Sequence, residues 1–502
     1  MSSSSSAIKK GAIISYVAIF LNIVITFFYT PWMIRQIGVS DYGLYNLIIS
    51  FISYFIMDFG LHQAVQRFIA KYRAENDEDK VAKMVAITTK VYVLIDAVIF
   101  LVLFVLYFFI SNIFTGLTPD EIETLKGLYI IAGIFSVLNF VFKPMSGAMM
   151  AYEYFVEERT LEVVNKVGLV LIVCVALYFG AGVYSLVLIN GAVTLFVSIA
   201  KYVVFKYKSK LQIQWSYFDK GDLKSIFSFS VWTFTISIAQ RLRVTLVPAI
   251  LGIVSNSQEI AIFSLAMSIE GMIITISGAL NGLFLPKVSR MAVEGDREKI
   301  TTLMIRVGRL QLHVWGLIFM GFIIFGTVFL NLWVGNDFTD SYFVIIFIAV
   351  ASLVAQTQSV AMDLVFAENE IRKTATLTFV TALIGIAIAF PLAKFFGAIG
   401  AAAGSGFGLC LYQILLNIFY RNKLELGIAR FFKECHGRIL PLQVLLCVLS
   451  IFLARLIGLH SWIDLIVGGA IYSIVFIIVS YLFLFNKEEK SHILLIKNVI
   501  HK

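Results

Sequence analysis

Long apolar stretches recur along this chain at the length a membrane imposes. A helix that crosses a hydrocarbon core about 30 Å thick needs about 20 mostly apolar residues. Fourteen such stretches can be read, at roughly 11–31, 42–62, 86–110, 125–149, 161–180, 183–205, 227–250, 259–285, 310–334, 341–365, 375–394, 398–419, 438–457 and 462–485. With 60% hydrophobic residues, 14% charged residues and a mean hydropathy of +0.90, the chain has far more apolar surface than a soluble core can hide. The expected fold class is an all-α polytopic membrane protein with about 14 transmembrane helices. The first apolar run follows Lys9 and Lys10 with no small-residue cleavage site, so it is read as an uncleaved helix rather than a signal peptide.

The cations give each span a direction. With the N-terminus placed in the cytoplasm, Arg67 to Lys83, Lys206 to Lys224 and Arg421 to Arg438 all fall in inner segments. Outer segments hold only Arg35, Lys126, Lys394 and Arg455. One missed helix would scramble this separation, so it predicts an even span count with both termini inside. The net charge of +9 is thereby read as loop topology, and nucleic acid is not an expected partner. The four cysteines form no C-x-x-C pair, and three lie in apolar runs, so neither a disulfide nor a metal site is expected.

The first twelve spans read as two copies of six, offset by about 214–220 residues. Glu75-Asn76-Asp77-Glu78-Asp79-Lys80 matches Glu294-Gly295-Asp296-Arg297-Glu298-Lys299 as E-x-D-x-x-K. Phe179-Gly180-Ala181-Gly182 matches Phe396-Gly397-Ala398-Ile399-Gly400. Ala151-Tyr152-Glu153 matches Ala367-Glu368-Asn369, and Arg159-Thr160 matches Lys373-Thr374. The first helix of each copy runs outward, so the repeats are parallel, an arrangement that places a substrate path between two halves. The expected domains are residues 1–206 as an N-terminal six-helix lobe and 207–420 as a C-terminal one. Residues 421–502 add two helices and a cytoplasmic tail.

Gly38-Val39-Ser40-Asp41-Tyr42-Gly43-Leu44-Tyr45 and Asp58-Phe59-Gly60 with Ala64 and Arg67 carry a family resemblance. Leu251-Gly252 and Ala261-Ile262-Phe263-Ser264-Leu265-Ala266 match the second half's version. On these residues the chain resembles the oligosaccharide and polysaccharide flippases, Wzx-type O-antigen flippases among them, of the multidrug/oligosaccharidyl-lipid/polysaccharide exporter superfamily. The resemblance implies two lobes of helices in the inner membrane of a bacterium. It implies translocation of an undecaprenyl-pyrophosphate-linked oligosaccharide from the inner to the outer leaflet for O-antigen, capsule or exopolysaccharide. It further implies coupling to a proton gradient, a sodium gradient or the membrane potential, with no bound cofactor, and a pathway shared with a polymerase and glycosyltransferases. The lipid II flippases of this superfamily carry arginines inside span 1. This chain has none there before Arg35, which favours a surface-polysaccharide unit over lipid II.

Flipping makes and breaks no covalent bond, so no enzyme activity is expected. The difficulty is electrostatic: a pyrophosphate must cross hydrocarbon, and a hydrated cationic cavity lowers that cost. Arg241 and Arg243 in span 7 are the strongest candidates for cargo binding. They stand about 200° apart around a helix, so one faces the cavity and the other turns away. A structural pair within the lobe is the plainer alternative. Lys143 precedes Pro144, whose ring kinks span 4, and it is expected to line the inner vestibule. Glu270 is the deepest acid, at the depth of Arg241 on the neighbouring span, and is a candidate for ion coupling; a static ion pair is equally consistent. Asp58 sits close to the inner face with His62 one turn on, as an inner gate or a helix-end contact. Arg306, Arg309 and His313 share one side of span 9 at the cytoplasmic mouth, or form an interfacial anchor there. Glu162 and Lys166 read as a structural pair in the favourable order.

Gly397 to Gly408 contains no G-x-x-x-x-G-K-[ST], and neither does the rest of the chain, so ATP is not the expected energy source. Gly400 and Gly404 read as small-residue helix packing instead. Two alternatives stay open: a cation-coupled multidrug exporter of the same superfamily, and a membrane glycosyltransferase or polysaccharide polymerase. The first calls for an acidic cavity and the second for a sizeable outer loop.

Overall fold

The computed structural model describes residues 23–55, 57, 61–224, 226, 234, 238, 241, 245–278, 284–486 and 489–490. Every regular element among them is helical. The chain divides into two compact units, one of residues 1–264 with 393–397 and one of 265–392 with 398–502. The first unit contains α1 (23–37), α2 (Val39–Phe55), α3 (Leu61–Ala74), α4 (Glu78–Tyr107), α5 (Ile110–Ile113), α6 (Pro119–Phe140), α7 (Lys143–Ala151), α8 (Phe155–Tyr178), α9 (Val183–Ser209) and α10 (Val247–Val254). Helix α11 (Ser257–Ser277) starts in the first unit and ends in the second. The second unit continues with α12 (Leu285–Val293), α13 (Arg297–Trp333), α14 (Ser341–Thr357), α15 (Ser359–Ala367), α16 (Ile371–Asn422), α17 (Ile428–Phe431), α18 (Gly437–Ile457) and α19 (Trp462–Val479). Residues 393–397 of α16 belong to the first unit.

Ten helical segments among the described residues are long and apolar enough to cross a membrane. Nine coincide with one expected span each, and the tenth, Ile371–Asn422, holds two. A 52-residue helix would be about 78 Å long, far beyond the bilayer. It is in fact broken at Phe396 and at Gly397, whose φ of +52° suits a residue without Cβ. The expected spans at 11–31 and 227–250 lie largely outside the described residues. The expected span 42–62 is shorter than its apolar run: α2 ends at Phe55 and α3 begins at Leu61. The weak helix formers Asp58 and Gly60 lie between them in sequence. The chain is thus an all-helical, multi-pass membrane protein.

The repeat read from sequence reappears in the backbone. Asp77 and Asp296, the paired acids of E-x-D-x-x-K, each cap a helix by accepting from the N–H of Lys80 or Lys299 at 3.0 Å. The same lysines close ion pairs back to them at 2.9 and 2.7 Å. Among the described residues the non-glycine positions with positive φ are Asn76, Glu153, Lys210, Asn369 and Glu425. Glu153 and Asn369 occupy the same turn after the nine-residue helices α7 and α15, with φ of 60° and 56°. Lys210 and Glu425 follow the sixth span of each copy, with φ of 53° and 54°. Asn76 has its counterpart in Gly295, and Gly180 in Gly397, again at positive φ. In each copy the short helix packs on its neighbour in the same way, α7 on α3 and α15 on α12.

The breaks before α7 and α15 have different causes. Pro144 stands in the first turn of α7 and cannot continue α6. No proline marks the second break. There Gln358 leaves the helical conformation, and its side chain donates to Asn417 Oδ1 at 2.7 Å and accepts from Gln413 Nε2 at 2.6 Å. The core of the second unit below this break is apolar, with Met304, Val360, Leu364, Leu416 and Phe431 fully enclosed.

Small residues bring the two halves of α16 together. A Cβ on Gly404 would overlap the Ala389 backbone, and one on Gly408 would stand 2.8 Å from the Thr381 carbonyl. Gly404→Leu is therefore expected to lower stability by about 1–3 kcal/mol through overpacking. At Gly271 an added Cβ meets nothing within 4 Å, so Gly271→Ala is expected to be neutral or stabilising by up to about 1 kcal/mol. Thermal unfolding of the two variants in detergent compares them directly.

Candidate functional site

Sequence position Gly38 to Tyr45 builds one end of the first unit. Gly38, at φ +88°, turns the chain between α1 and α2. Two residues on, Ser40 Oγ donates to Glu121 Oε1 on α6 at 2.7 Å, and Ser257 Oγ on α11 donates to the same oxygen. Glu121 also accepts from the Thr118 N–H at 2.9 Å, closing a capping box at the start of α6. One carboxylate thus lies at the N-terminal ends of three helices, where their dipoles favour negative charge. Gly43 is pressed against the Ser257 carbonyl so closely that a Cβ would collide with it. The turn between α10 and α11 is tied in by Thr115 Oγ1, which donates to the Ile253 carbonyl at 2.9 Å.

Arg241 lies in the first unit. Its Nη1 donates to the Ser53 carbonyl of α2 at 3.2 Å, and Tyr54 Oη donates to the Arg241 carbonyl at 3.1 Å. Among the described residues Arg241 has no carboxylate partner, so its charge is held by a backbone dipole. Arg243 and Asp58 lie outside the described residues. Lys143 opens α7 with its ammonium 5.1 Å from the centre of the Phe140 ring.

A charge pair joins α7, α8 and α9. Lys201 on α9 contacts Glu158 Oε1 on α8 at 2.6 Å and Ser146 Oγ on α7 at 3.1 Å. In the second unit Glu270 is 4% exposed and accepts from Ser352 Oγ on α14 at 3.2 Å. Asp96 and Asp363 are each 5% exposed, and each has one buried carboxylate oxygen without a hydrogen-bond partner among the described residues. No cluster of three metal-ligating side chains occurs among the described residues.

A family model described as "Polysaccharide biosynthesis protein" matches residues 8–291 of this sequence, more than half the chain. The chain belongs to that family. A further relative is an uncharacterized membrane protein, EpsK, of Bacillus subtilis (strain 168), 22% identical over 496 residues and covering 95% of each chain. Among solved structures the chain is similar to the lipid II flippase MurJ in an inward closed conformation, with a TM-score of 0.71 at 14% identity, over 94% of this chain and 98% of that one. It is also similar to an inward-facing multidrug resistance MATE family transporter of the MOP superfamily, with a TM-score of 0.59 at 13% identity, over 85% and 99%. At these identities the likeness concerns the fold. This polysaccharide biosynthesis protein therefore shares its fold with membrane transporters.

Two placements in this family member differ from local sequence expectation. Glu162 pairs with Arg159 at 2.7 Å instead of with Lys166, because the shorter i,i+3 reach is available in the first turns of α8. Arg306, Arg309 and His313 do lie on one side of α13, but only Arg306 is exposed. Arg309 is 4% exposed and grips Glu489 in a fork, Nε to Oε1 at 2.7 Å and Nη2 to Oε2 at 2.9 Å. Its remaining donors reach the carbonyls of Glu434 at 2.9 Å and Leu484 at 2.7 Å. Phe485 packs edge-on against His313 with ring centres 4.6 Å apart. The segment after α19 thus covers the face that spacing alone leaves open. Glu489 is 180 residues from Arg309 in sequence, so local periodicity carries no sign of it. Lys201 and Glu158 were equally missed; a lysine inside the apolar run 183–205 was the available signal.

Burial pushes the Glu489 carboxyl up, but hydrogen bonds from Arg309 and the Asn486 N–H and the Arg309 charge outweigh it and hold the carboxyl below its usual range. A lowered folded value means this stabilisation is complete above the unfolded-state value of about 4.5 and is lost as pH falls through the folded value. Glu489→Gln is expected to flatten that acid limb in thermal unfolding followed against pH. Arg309→Ala, which strands a buried carboxylate, is expected to cost about 3–5 kcal/mol at neutral pH.

Proposed function

We infer that this protein is a flippase. It moves a lipid-pyrophosphate-linked oligosaccharide from the inner to the outer leaflet of a bacterial cytoplasmic membrane, for O-antigen, capsule or exopolysaccharide assembly. Residues 1–206 and 207–420 act as two six-helix lobes in alternating access, with 421–502 as two added helices, and both termini are cytoplasmic. One observation carries this: a polysaccharide biosynthesis family match over residues 8–291 in a chain with the fold of a lipid II flippase over 94% of its length. Polysaccharide units built on a lipid pyrophosphate need such a carrier, and the anion explains the cations. Arg241, Arg243 and Lys143 form the cationic lining, with Arg306 toward the cytoplasmic mouth, whereas Arg309 and His313 are covered by the segment after α19. Glu270 and Asp58 couple or gate the cycle, driven by a proton gradient, a sodium gradient or the membrane potential. A polymerase and glycosyltransferases act before and after it in the pathway.

The fold likeness to a multidrug transporter favours a second reading, a cation-coupled drug exporter. Arg241 weighs against it, because an arginine paired with a backbone carbonyl repels a cationic drug.

Deleting the gene and measuring lipid-linked oligosaccharide accessible at the outer leaflet of spheroplasts tests the reading. The deletion is expected to trap the pool inside, and an undiminished outer pool overturns the flippase assignment. Arg241→Ala is expected to lower the export rate on the order of tenfold or more, with partial recovery in Arg241→Lys, since a charged hydrogen bond to phosphate is lost. Glu270→Gln is expected to uncouple export from the ion gradient; full export with unchanged ion dependence removes Glu270 from the coupling role.

A further inference from the structure

Three consecutive helices of the first unit, α7, α8 and α9, meet at Ser146, Glu158 and Lys201. The charged side chains of Lys201 and Glu158 retain only 15% and 5% of their surface. A buried ion pair is favourable only when its remaining donors and acceptors are also satisfied. This one is incomplete. Glu158 Oε2 is buried and has no hydrogen-bond partner among the described residues. Lys201 has three ammonium protons and directs two of them, to Glu158 and to Ser146. The pair therefore holds a carboxylate short of donors beside an ammonium with a donor in reserve.

The second copy of the repeat shows that the helix packing does not need these charges. The turn at Glu153 and Asn369, with α8 and α16 each starting two residues later, sets an offset that puts Thr374 in the place of Glu158 and shifts the sequence match of Arg159-Thr160 with Lys373-Thr374 by two residues. The offsets given by Gly180 with Gly397 and by Lys210 with Glu425 put the place of Lys201 within Leu416 to Ile418, a stretch with no charged residue. Thr374 satisfies its hydroxyl on the Ile371 carbonyl at 2.8 Å, and Leu416 is 2% exposed in an apolar cluster. Among the described residues neither Thr374 nor Leu416 has an ion pair beneath it in the packing. A charge buried in a membrane bundle without a packing need points to a ligand or an ion pathway.

The surroundings suit an anion. Lys143 stands one turn before Ser146 in α7, which brings a second basic residue to the start of the same helix. Phe142 and Tyr202 make ring contact at 6.3 Å and bring α9 against the start of α7. We propose that Lys201 docks the pyrophosphate of the lipid-linked cargo, that Glu158 is its counter-ion in the empty protein, and that Ser146 and Lys143 supply further donors. The cargo anion displaces the carboxylate from the ammonium, and release lets Glu158 return. No covalent bond changes. This rests on the flippase reading and deepens it, since it names residues the cationic lining did not include.

The test uses the full-length protein purified in detergent, with farnesyl pyrophosphate as probe and inorganic pyrophosphate and phosphatidylglycerol as comparison arms. Farnesyl pyrophosphate is expected to bind, and Lys201→Ala to weaken it on the order of tenfold or more, because a charge-assisted bond is lost. Glu158→Gln is expected to tighten binding, because the competing carboxylate is gone. The reversed pair, Lys201→Glu with Glu158→Lys, rebuilds the attraction with its charges exchanged. It is expected to recover thermal stability but neither probe binding nor export. Full recovery of both makes the pair structural and overturns the proposal, as does wild-type binding by Lys201→Ala. Tighter binding of phosphatidylglycerol than of farnesyl pyrophosphate, lost in Lys201→Ala, assigns the site to a resident lipid and overturns it too. Failure of the deletion test is distinguishable: it removes the flippase assignment while the binding arms still decide whether Lys201 receives a pyrophosphate.

Discussion

Hydrocarbon offers no hydrogen-bond partner, so every peptide group within it must be satisfied by the protein. The helices of this chain meet that demand internally, and the places where they cannot are the informative ones. Pro144 removes a donor and divides α6 from α7. Gln358 interrupts the corresponding span of the second copy, and there the polar side chains of Gln413 and Asn417 close around it. Gly397 turns the chain between the two halves of α16, where small residues let the halves approach.

The same constraint explains why the repeat is clearest at the turns. Span interiors tolerate almost any apolar side chain, so the two copies have diverged there. Turns need a cap or a left-handed residue at a given position. Asp77 and Asp296 cap equivalent helices, and Glu153 and Asn369 adopt the same unusual backbone conformation. Where the copies differ in charge, the difference stands out against a shared frame. Where the first copy has Lys201 and Glu158, the second has the uncharged stretch Leu416 to Ile418 and Thr374, a contrast that packing alone does not call for.

Much of the architecture was legible from residue order. The apolar runs located the spans, since length and hydropathy are local properties. E-x-D-x-x-K and the F-G-A match located the repeat, since capping and left-handed turns depend on a few adjacent residues. The candidate site was legible only in part. Arg241 and Glu270 stood out as charges inside apolar runs, but their partners, the Ser53 carbonyl and the Ser352 hydroxyl, are ordinary residues with no signal of their own. The fork between Arg309 and Glu489 joins positions that sequence spacing does not relate.

By itself, then, the sequence determined that this protein is a many-helix membrane protein built on a duplicated unit, because hydrophobic length and turn chemistry are written in neighbouring residues. The tertiary structure decided which charges are spent on holding the fold and which stand beside an unfilled role. Arg309 proved to be locked by four contacts, three to the segment around and beyond the last helix and one to the Glu434 carbonyl, whereas Lys201 stands next to a carboxylate oxygen with no hydrogen-bond partner among the described residues. Those assignments depend on which helices meet in space, and no local pattern carries that information.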